Sequence, residues 1–304
     1  MIATPFFSPS IPLIAAPPTP LTADGSLNLA AVEKQATQLA ADGVSGVFIG
    51  GTTGESASLT LEERQQLAAR WCEVLHRSSL RRIIHVGSNC LADACRLADQ
   101  ARKLQADGIA AVAPCYFRPT DTRLLVDCCA QIAAAAPELP FYYYEIPSIT
   151  GIHLPTDRFL SEAMERIPSF GGLKYSNSDL PLLQRCVAIA AGRLELFFGS
   201  DEILLAALGF GATGAVGSTY NIAAPLYRRM LAAAANGDFE TARAAQLQSV
   251  GLVDVLSRHG YLPSLKAVLT YRGIPMGPVR LPLRNLGAEQ VTVLLKEIEA
   301  IGAW

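Results

Sequence analysis

Lys174 is the residue whose setting asks for a chemical explanation. The chain holds five lysines: Lys34, Lys103, Lys174, Lys266 and Lys296. Four fall in patterns that read as helices. Lys174 lies in Phe170-Gly171-Gly172-Leu173-Lys174-Tyr175-Ser176, a short apolar run that opens on glycines and ends on a hydroxyl, as a buried strand does. A lysine is rarely buried unless it is paired or has a task. Burial disfavours an ammonium ion. A neutral lysine amine is a nucleophile, and its usual product is a Schiff base with a carbonyl substrate. The plainer reading is a lysine that lays its stem along apolar surface and pairs with a carboxylate.

Other reactive groups follow short apolar runs in the same way. They are Thr52, Thr53 and Glu55 in Gly51-Thr52-Thr53-Gly54-Glu55, then Tyr116, then Tyr144 and Glu145. Ser176 follows Lys174, and Gly199, Asp201, Glu202, Ser218 and Thr219 come after it. Together they offer an amine, hydroxyls, a phenol and carboxylates. Each has a structural reading too. The glycines of 51–54 suit a tight turn, Tyr144 ends an aromatic run that packs, Asp201 and Glu202 suit a helix N-terminus, and Ser218 or Thr219 suits a helix cap. Convergence on one face would separate the chemical reading from these.

The elements that must bring them together alternate. Eight apolar runs read as strands: 13–16, 46–50, 82–87, 108–113, 140–146, 172–175, 194–199 and 212–217. Segments with apolar residues at helical spacing lie between them, such as 27–41, 61–77, 92–105 and 122–135. Thr60 followed by Glu63 spells a capping box. Asp42-Gly43 and Asp107-Gly108 read as glycine helix stops. Alternating strands and helices imply parallel β/α units, and eight units imply a closed (β/α)8 TIM barrel over 11–235. Active sites in such barrels lie at the C-terminal ends of the strands, where the residues above fall. An open doubly wound sheet would show a glycine phosphate turn after its first strand. Here Pro17-Pro18-Thr19-Pro20 stands in that place. After 236 only helices are expected, at 239–257, 263–272 and 288–301, as a C-terminal extension (236–304) packed on the barrel. Residues 1–10 read as an N-terminal tail.

Composition sets the outer limits. The 304 residues are 50% hydrophobic, 17% charged and carry a net charge of -2. That permits a large core and disfavours nucleic acid as a partner, since phosphate binding needs a basic face. Seven cysteines at irregular spacing do not form a disulfide framework. The four histidines make no close-spaced metal pair. The reading is reduced thiols, a cytoplasmic setting and no metal. No signal-peptide pattern opens the chain, and no apolar run approaches the ~20 residues of a membrane helix.

The motifs in their order resemble the pyruvate-dependent class I aldolase superfamily that contains dihydrodipicolinate synthase and N-acetylneuraminate lyase. They are Gly51-Thr52-Thr53-Gly54-Glu55, Tyr144-x-Ile146-Pro147 with Thr150-Gly151, and Gly172-Leu173-Lys174. The resemblance covers nearly the whole chain. Within the superfamily the chain is similar to the N-acetylneuraminate lyases, in particular the animal-type branch. That likeness lies in 141–144, 199–202, 211–221 and Gly273-Ile274-Pro275-Met276-Gly277-Pro278. The synthases usually carry an arginine two residues after the proline of the tyrosine motif, where this chain has Ile149. One departure from the lyases is Glu145, where they usually have Asn or His. Pointing inward, its charge would repel an anionic sugar acid. Pointing away, it is neutral to function.

The resemblance implies a retro-aldol cleavage of N-acetylneuraminate to N-acetylmannosamine and pyruvate. Lys174 forms the imine, and Tyr144 takes the C4 hydroxyl proton through Thr53 or the substrate carboxylate. Thr52 and Thr53 hold the pyruvate carboxylate, while Ser176, Gly199, Asp201, Glu202 and Ser218 hold the hydroxylated tail. It also implies no cofactor, and a homo-oligomer, a dimer or a dimer of dimers, in which Tyr116 enters a neighbouring site. Two other readings remain: another pyruvate aldolase or synthase for a different 2-oxo sugar acid, and a non-catalytic binder of 2-oxo or sialic acids.

Overall fold

The computed structural model describes residues 11–303; the expected tail over 1–10 lies outside the described residues. Eight parallel strands close into a barrel in chain order: β1 (Leu13–Ala15), β2 (Gly46–Ile49), β3 (Arg81–His85), β4 (Gly108–Val112), β5 (Phe141–Glu145), β6 (Phe170–Tyr175), β7 (Glu195–Phe198) and β8 (Gly214–Gly217), with β8 pairing back to β1. The chain is therefore a (β/α)8 TIM barrel. The helices of the ring are α1 (Ala31–Ala41), α2 (Leu61–Val74), α3 (Leu91–Lys103), α4 (Thr122–Ala134), α5 (Pro147–Thr150), α6 (Thr156–Arg166), α7 (Leu180–Ala190), α8 (Leu204–Gly209) and α9 (Tyr220–Ala235).

The strands read as near-continuous apolar runs because both their faces are buried. Alternate side chains go to opposite faces. Ile14, Phe48, Ile83, Ala110, Tyr142, Tyr144, Phe197 and Val216 fill the barrel interior. Val47, Ile84, Tyr143, Leu173 and Phe198 face the helices instead. This two-residue period decides which residues can reach the mouth.

Most local signals do what the sequence says. Thr60 and Glu63 form the capping box reciprocally, at 3.2 and 2.9 Å. Gly43 takes the left-handed conformation (φ 74°) after α1. Gly108 does not act as a helix stop: Gln105 takes the left-handed turn after α3 (φ 54°), and Gly108 is the first residue of β4. A Cβ there would stand 3.0 Å from the Tyr142 ring, so a side chain at this position would press on that ring. α1 starts at Ala31, later than the expected 27, because Leu27 bridges Leu21.

Beyond the barrel come α10 (Phe239–Arg258), α11 (Tyr261–Tyr271) and α12 (Ala288–Ile301). α10 packs on α9 and on the turn Asp201–Ile203, α11 packs on α9 and α10, and α12 covers α10 and α11. The loop between α11 and α12 returns to the barrel, where the Leu21 N–H donates to Met276 O at 2.9 Å. Among the described residues no helix is long and apolar enough to cross a membrane, and no cluster of metal-ligating side chains occurs.

Candidate active site

Lys174 and Tyr144 are register partners on β6 and β5. Both point into the barrel near its C-terminal end, and both are buried, with Lys174 only 5% exposed. The amine stands 3.7 Å from the centroid of the Tyr144 ring and 4.4 Å from that of Phe48. Lys174 has no carboxylate partner among the described residues. The structure thus differs from the plain reading of a lysine paired at the mouth.

The Tyr144 hydroxyl lies 3.3 Å from Thr52 Oγ1. Burial pushes this phenol up. The Lys174 charge and the hydroxyls of Thr52 and Ser176 pull it down further, and the net direction is below the usual value. A phenol held down in this way is a better base near neutral pH.

Thr53 is placed differently from Thr52. Its hydroxyl is 2.6 Å from Ser218 Oγ, at the end of β8. Thr52, not Thr53, is therefore the hydroxyl against Tyr144. Ser218 is fixed from behind, because Asn221 Nδ2 donates to Ser218 O and Ala16 O at 2.8 Å each. Gly54 O accepts from Thr19 Oγ1 at 2.6 Å, which pins the same loop to the proline-rich segment after β1.

Ser176 follows β6, and its N–H donates to Glu145 O at 2.9 Å. Its buried hydroxyl makes no hydrogen bond of ordinary geometry, although it lies near enough to Tyr144 to pull that phenol down. Gly199 makes room for it: a Cβ at Gly199 would lie 2.0 Å from Ser176 Oγ.

Asp201 is not an open carboxylate. It is buried, and its Oδ2 accepts from the Thr219 hydroxyl at 2.6 Å and the Thr219 N–H at 3.1 Å. Burial pushes this carboxyl up against the pull of Thr219. A Cβ at Gly217 would collide with Asp201 Oδ1 at 1.9 Å, so the carboxylate rests directly on β8. Thr219 starts α9 without capping it, because its hydroxyl is given to Asp201. Glu202 is half-buried in the same turn. Tyr116 follows β4 on a loop and is 79% exposed, edge-on to Phe117 at 5.0 Å. It does not meet the other candidates within one chain.

Glu145 points away from the interior. It follows Tyr144 on the strand and so takes the opposite face. Its Oε1 accepts from Asn177 Nδ2 at 3.0 Å, and it shares a small gap with Thr156, Leu154 and Phe159 outside the barrel.

Two interior groups escaped the sequence reading. Phe48 occupies the inward position of β2 and gives Lys174 its second aromatic face. His85 ends β3, a strand whose end supplied no candidate. Its Nδ1–H donates to Gly50 O at 2.9 Å, its Nε2 accepts from the Val112 N–H at 3.4 Å, and its ring lies edge-on to Tyr144 at 6.0 Å. Burial, then the charges of Arg64 and Lys174, hold it well below the usual imidazole range. It is a neutral bolt between β2, β3 and β4. The same strand-end rule that selected Tyr144 selects it.

The model of the dihydrodipicolinate synthetase family matches residues 10–301. The chain belongs to this family. An N-acetylneuraminate lyase of Rattus norvegicus is 40% identical over 281 residues, which cover 91% of this chain and 88% of the relative. The solved N-acetylneuraminate lyase of Proteus mirabilis superposes with a TM-score of 0.93 at 36% identity, covering 97% of this chain and 99% of that one. The N-acetylneuraminate lyase (sialic acid aldolase) of Aliivibrio salmonicida gives 0.93 at 37% identity, covering 97% of each. For a member of the dihydrodipicolinate synthetase family, the lysine and phenol converge where a β/α barrel does its chemistry.

Proposed function

We propose that the chain is a class I aldolase that cleaves N-acetylneuraminate to N-acetylmannosamine and pyruvate. The observation that carries this is the buried Lys174 amine against Tyr144, on a barrel with 40% identity to a lyase of that name.

The Lys174 amine adds to the C2 ketone of the open-chain sugar acid, and loss of water gives a protonated imine. Tyr144, as phenolate, takes the C4 hydroxyl proton, with Thr52 as the adjacent hydroxyl. The C3–C4 electron pair moves into the imine, which releases the aldehyde and leaves an enamine. Protonation at C3 and hydrolysis then free pyruvate and the amine. Thr52 and Thr53 bind the carboxylate with fixed donors. Ser176, Gly199, Ser218 and Glu202 receive the tail, and Asp201 shapes that wall from behind. The outward direction of Glu145 supports the sialic acid reading, since its charge does not face the substrate.

The seven free thiols support a reducing, cytoplasmic setting. Tyr116 and Phe117, exposed beside the barrel mouth, support a homo-oligomer, arranged as a dimer of dimers, in which the tyrosine completes a neighbouring site.

The test is pyruvate release from N-acetylneuraminate, coupled to lactate dehydrogenase. Turnover that disappears in Lys174→Ala is expected. A borohydride-trapped pyruvate adduct on Lys174 without turnover would keep the chemistry and reject the substrate. No adduct would reject the Schiff base.

A further inference from the structure

We infer that the C-terminal helices belong to the active-site machinery: a buried ion pair between Glu55 and Lys266 of α11 holds the Thr52–Thr53 loop in place. The inference builds on the aldolase reading and names positioning residues for it.

Glu55 follows the two threonines by one glycine. Its N–H donates to Thr52 O at 3.0 Å, so its backbone closes the turn that carries both hydroxyls. It is also one of the few non-glycine residues at positive φ (55°). A glycine would take that conformation without strain, so the side chain has to justify itself. Strain of this kind persists where the surroundings over-determine it, as at functional sites.

The surroundings do so here. Glu55 Oε1 accepts from Lys266 Nζ at 2.5 Å, with both side chains 2% exposed. Oε2 accepts from the Arg280 N–H at 2.9 Å. The second bond of Lys266 goes to Pro278 O at 2.8 Å. Arg280 then ties the loop to its flanks, donating to Ser58 O and Gly25 O at 2.7 Å and to Glu63. Both partners of the Glu55 carboxylate come from residues 266–280, a stretch that sends no side chain to Lys174. A buried ion pair is a poor device for stability alone, because desolvation offsets its attraction. It is a good device for fixing one geometry, and what it fixes is the loop whose hydroxyls face Tyr144 and Ser218.

The experiment compares wild type, Glu55→Gln and Glu55→Gln/Lys266→Met, the last removing both charges so that none is left buried alone. Folding is checked by melting and circular dichroism. Two readouts follow on folded protein: the pyruvate concentration that half-saturates borohydride trapping on Lys174, and amide hydrogen exchange over Gly51–Ser56. The expected result is a rise in half-saturation on the order of 10–100-fold, as for a small misplacement of binding groups, with faster exchange confined to the loop. Folded double variant with wild-type trapping and wild-type loop exchange would overturn the inference. If wild type traps no pyruvate, the aldolase reading fails separately, and loop exchange alone decides whether the pair holds the turn.

Discussion

Tyr144 and Lys174 face each other across one register step of adjacent parallel strands, and the amine lies 3.7 Å from the phenol ring. The pairing places an amine and a phenol at one depth on two rigid elements, which are more exact supports than loops. It also sets the phenol's pKa. Burial raises it, and Lys174 with the Thr52 and Ser176 hydroxyls more than reverses the rise.

The first prediction follows from that balance. A step that needs the phenolate speeds up as pH rises toward the lowered pKa of Tyr144. Tyr144→Phe should lose on the order of 10²–10⁴ in kcat, the usual worth of a positioned base, and lose that limb of the pH profile. Thr52→Val removes one bond that holds the phenol down, so its limb should move to higher pH. Steady-state kcat across pH 6–10 checks both, and an unmoved limb in Thr52→Val would remove Thr52 from the proton path.

Glu145 carries the second prediction. Burial pushes its carboxyl up, Asn177 and Thr156 pull it back, Asp179 adds to the rise, and the net direction is up from 4.5. The folded state therefore binds this proton more tightly than the unfolded chain. Its contribution to stability is complete below about pH 4.5 and is lost as pH rises through the folded value. Glu145→Gln cannot ionise. Its Tm relative to wild type should rise from pH 4 to pH 8, by about 2–4 °C for each kcal/mol recovered. Because the side chain leaves the site untouched, substrate preference should stay as it is. A changed preference among sugar acids would show that the residue acts on the pocket.

The barrel was legible in the sequence, and the site only in part. Strand after strand, the apolar runs mark β1 to β8 within a residue or two, because burial on both faces leaves little other choice of residue. Lys174 stood out for the same reason. The direction of Glu145 was hidden, since a slip of one residue in strand phase turns a side chain to the other face. Which threonine meets Tyr144 was hidden too, because the loop conformation depends on Glu55 and a lysine 211 residues away. Pairings of that range leave no periodic trace. Asp201 looked like a ligand by type, and only Thr219 and Gly217 in three dimensions show that its carboxylate is buried against β8 with Oδ2 already taken by Thr219.

At the opposite end of the barrel the third prediction concerns stability alone. Arg81 grips Glu195 with two bonds of 2.7 and 2.8 Å and donates to the Tyr142 hydroxyl, which itself donates to Glu195 at 2.5 Å. Burial raises the Glu195 carboxyl, and Arg81 and Tyr142 lower it further than that. With the folded pKa below the usual 4.5, the contribution is present above that pH and fades as pH falls through the folded value. The pair is partly solvated, so Glu195→Gln should cost only about 1 kcal/mol. The difference in Tm should shrink between pH 5 and pH 3 while kcat is unchanged. A loss of kcat would mean that the two ends of the barrel are coupled.

The last prediction turns on a missing side chain. A methyl at Gly199 would come within 2.0 Å of Ser176 Oγ, and Ser176 is one of the groups that hold the Tyr144 phenol down. The hydroxyl is the end of a short side chain that can rotate away, so Gly199→Ala should fold. It should then behave as Ser176→Ala does, with the Tyr144 limb moved to higher pH in both. Since the two changes act through one hydroxyl, the double variant should be no worse than either single one, which is the non-additivity expected of neighbours. Additive effects on kcat and on the pH limb would show instead that Gly199 serves the substrate directly, with its backbone as the contact.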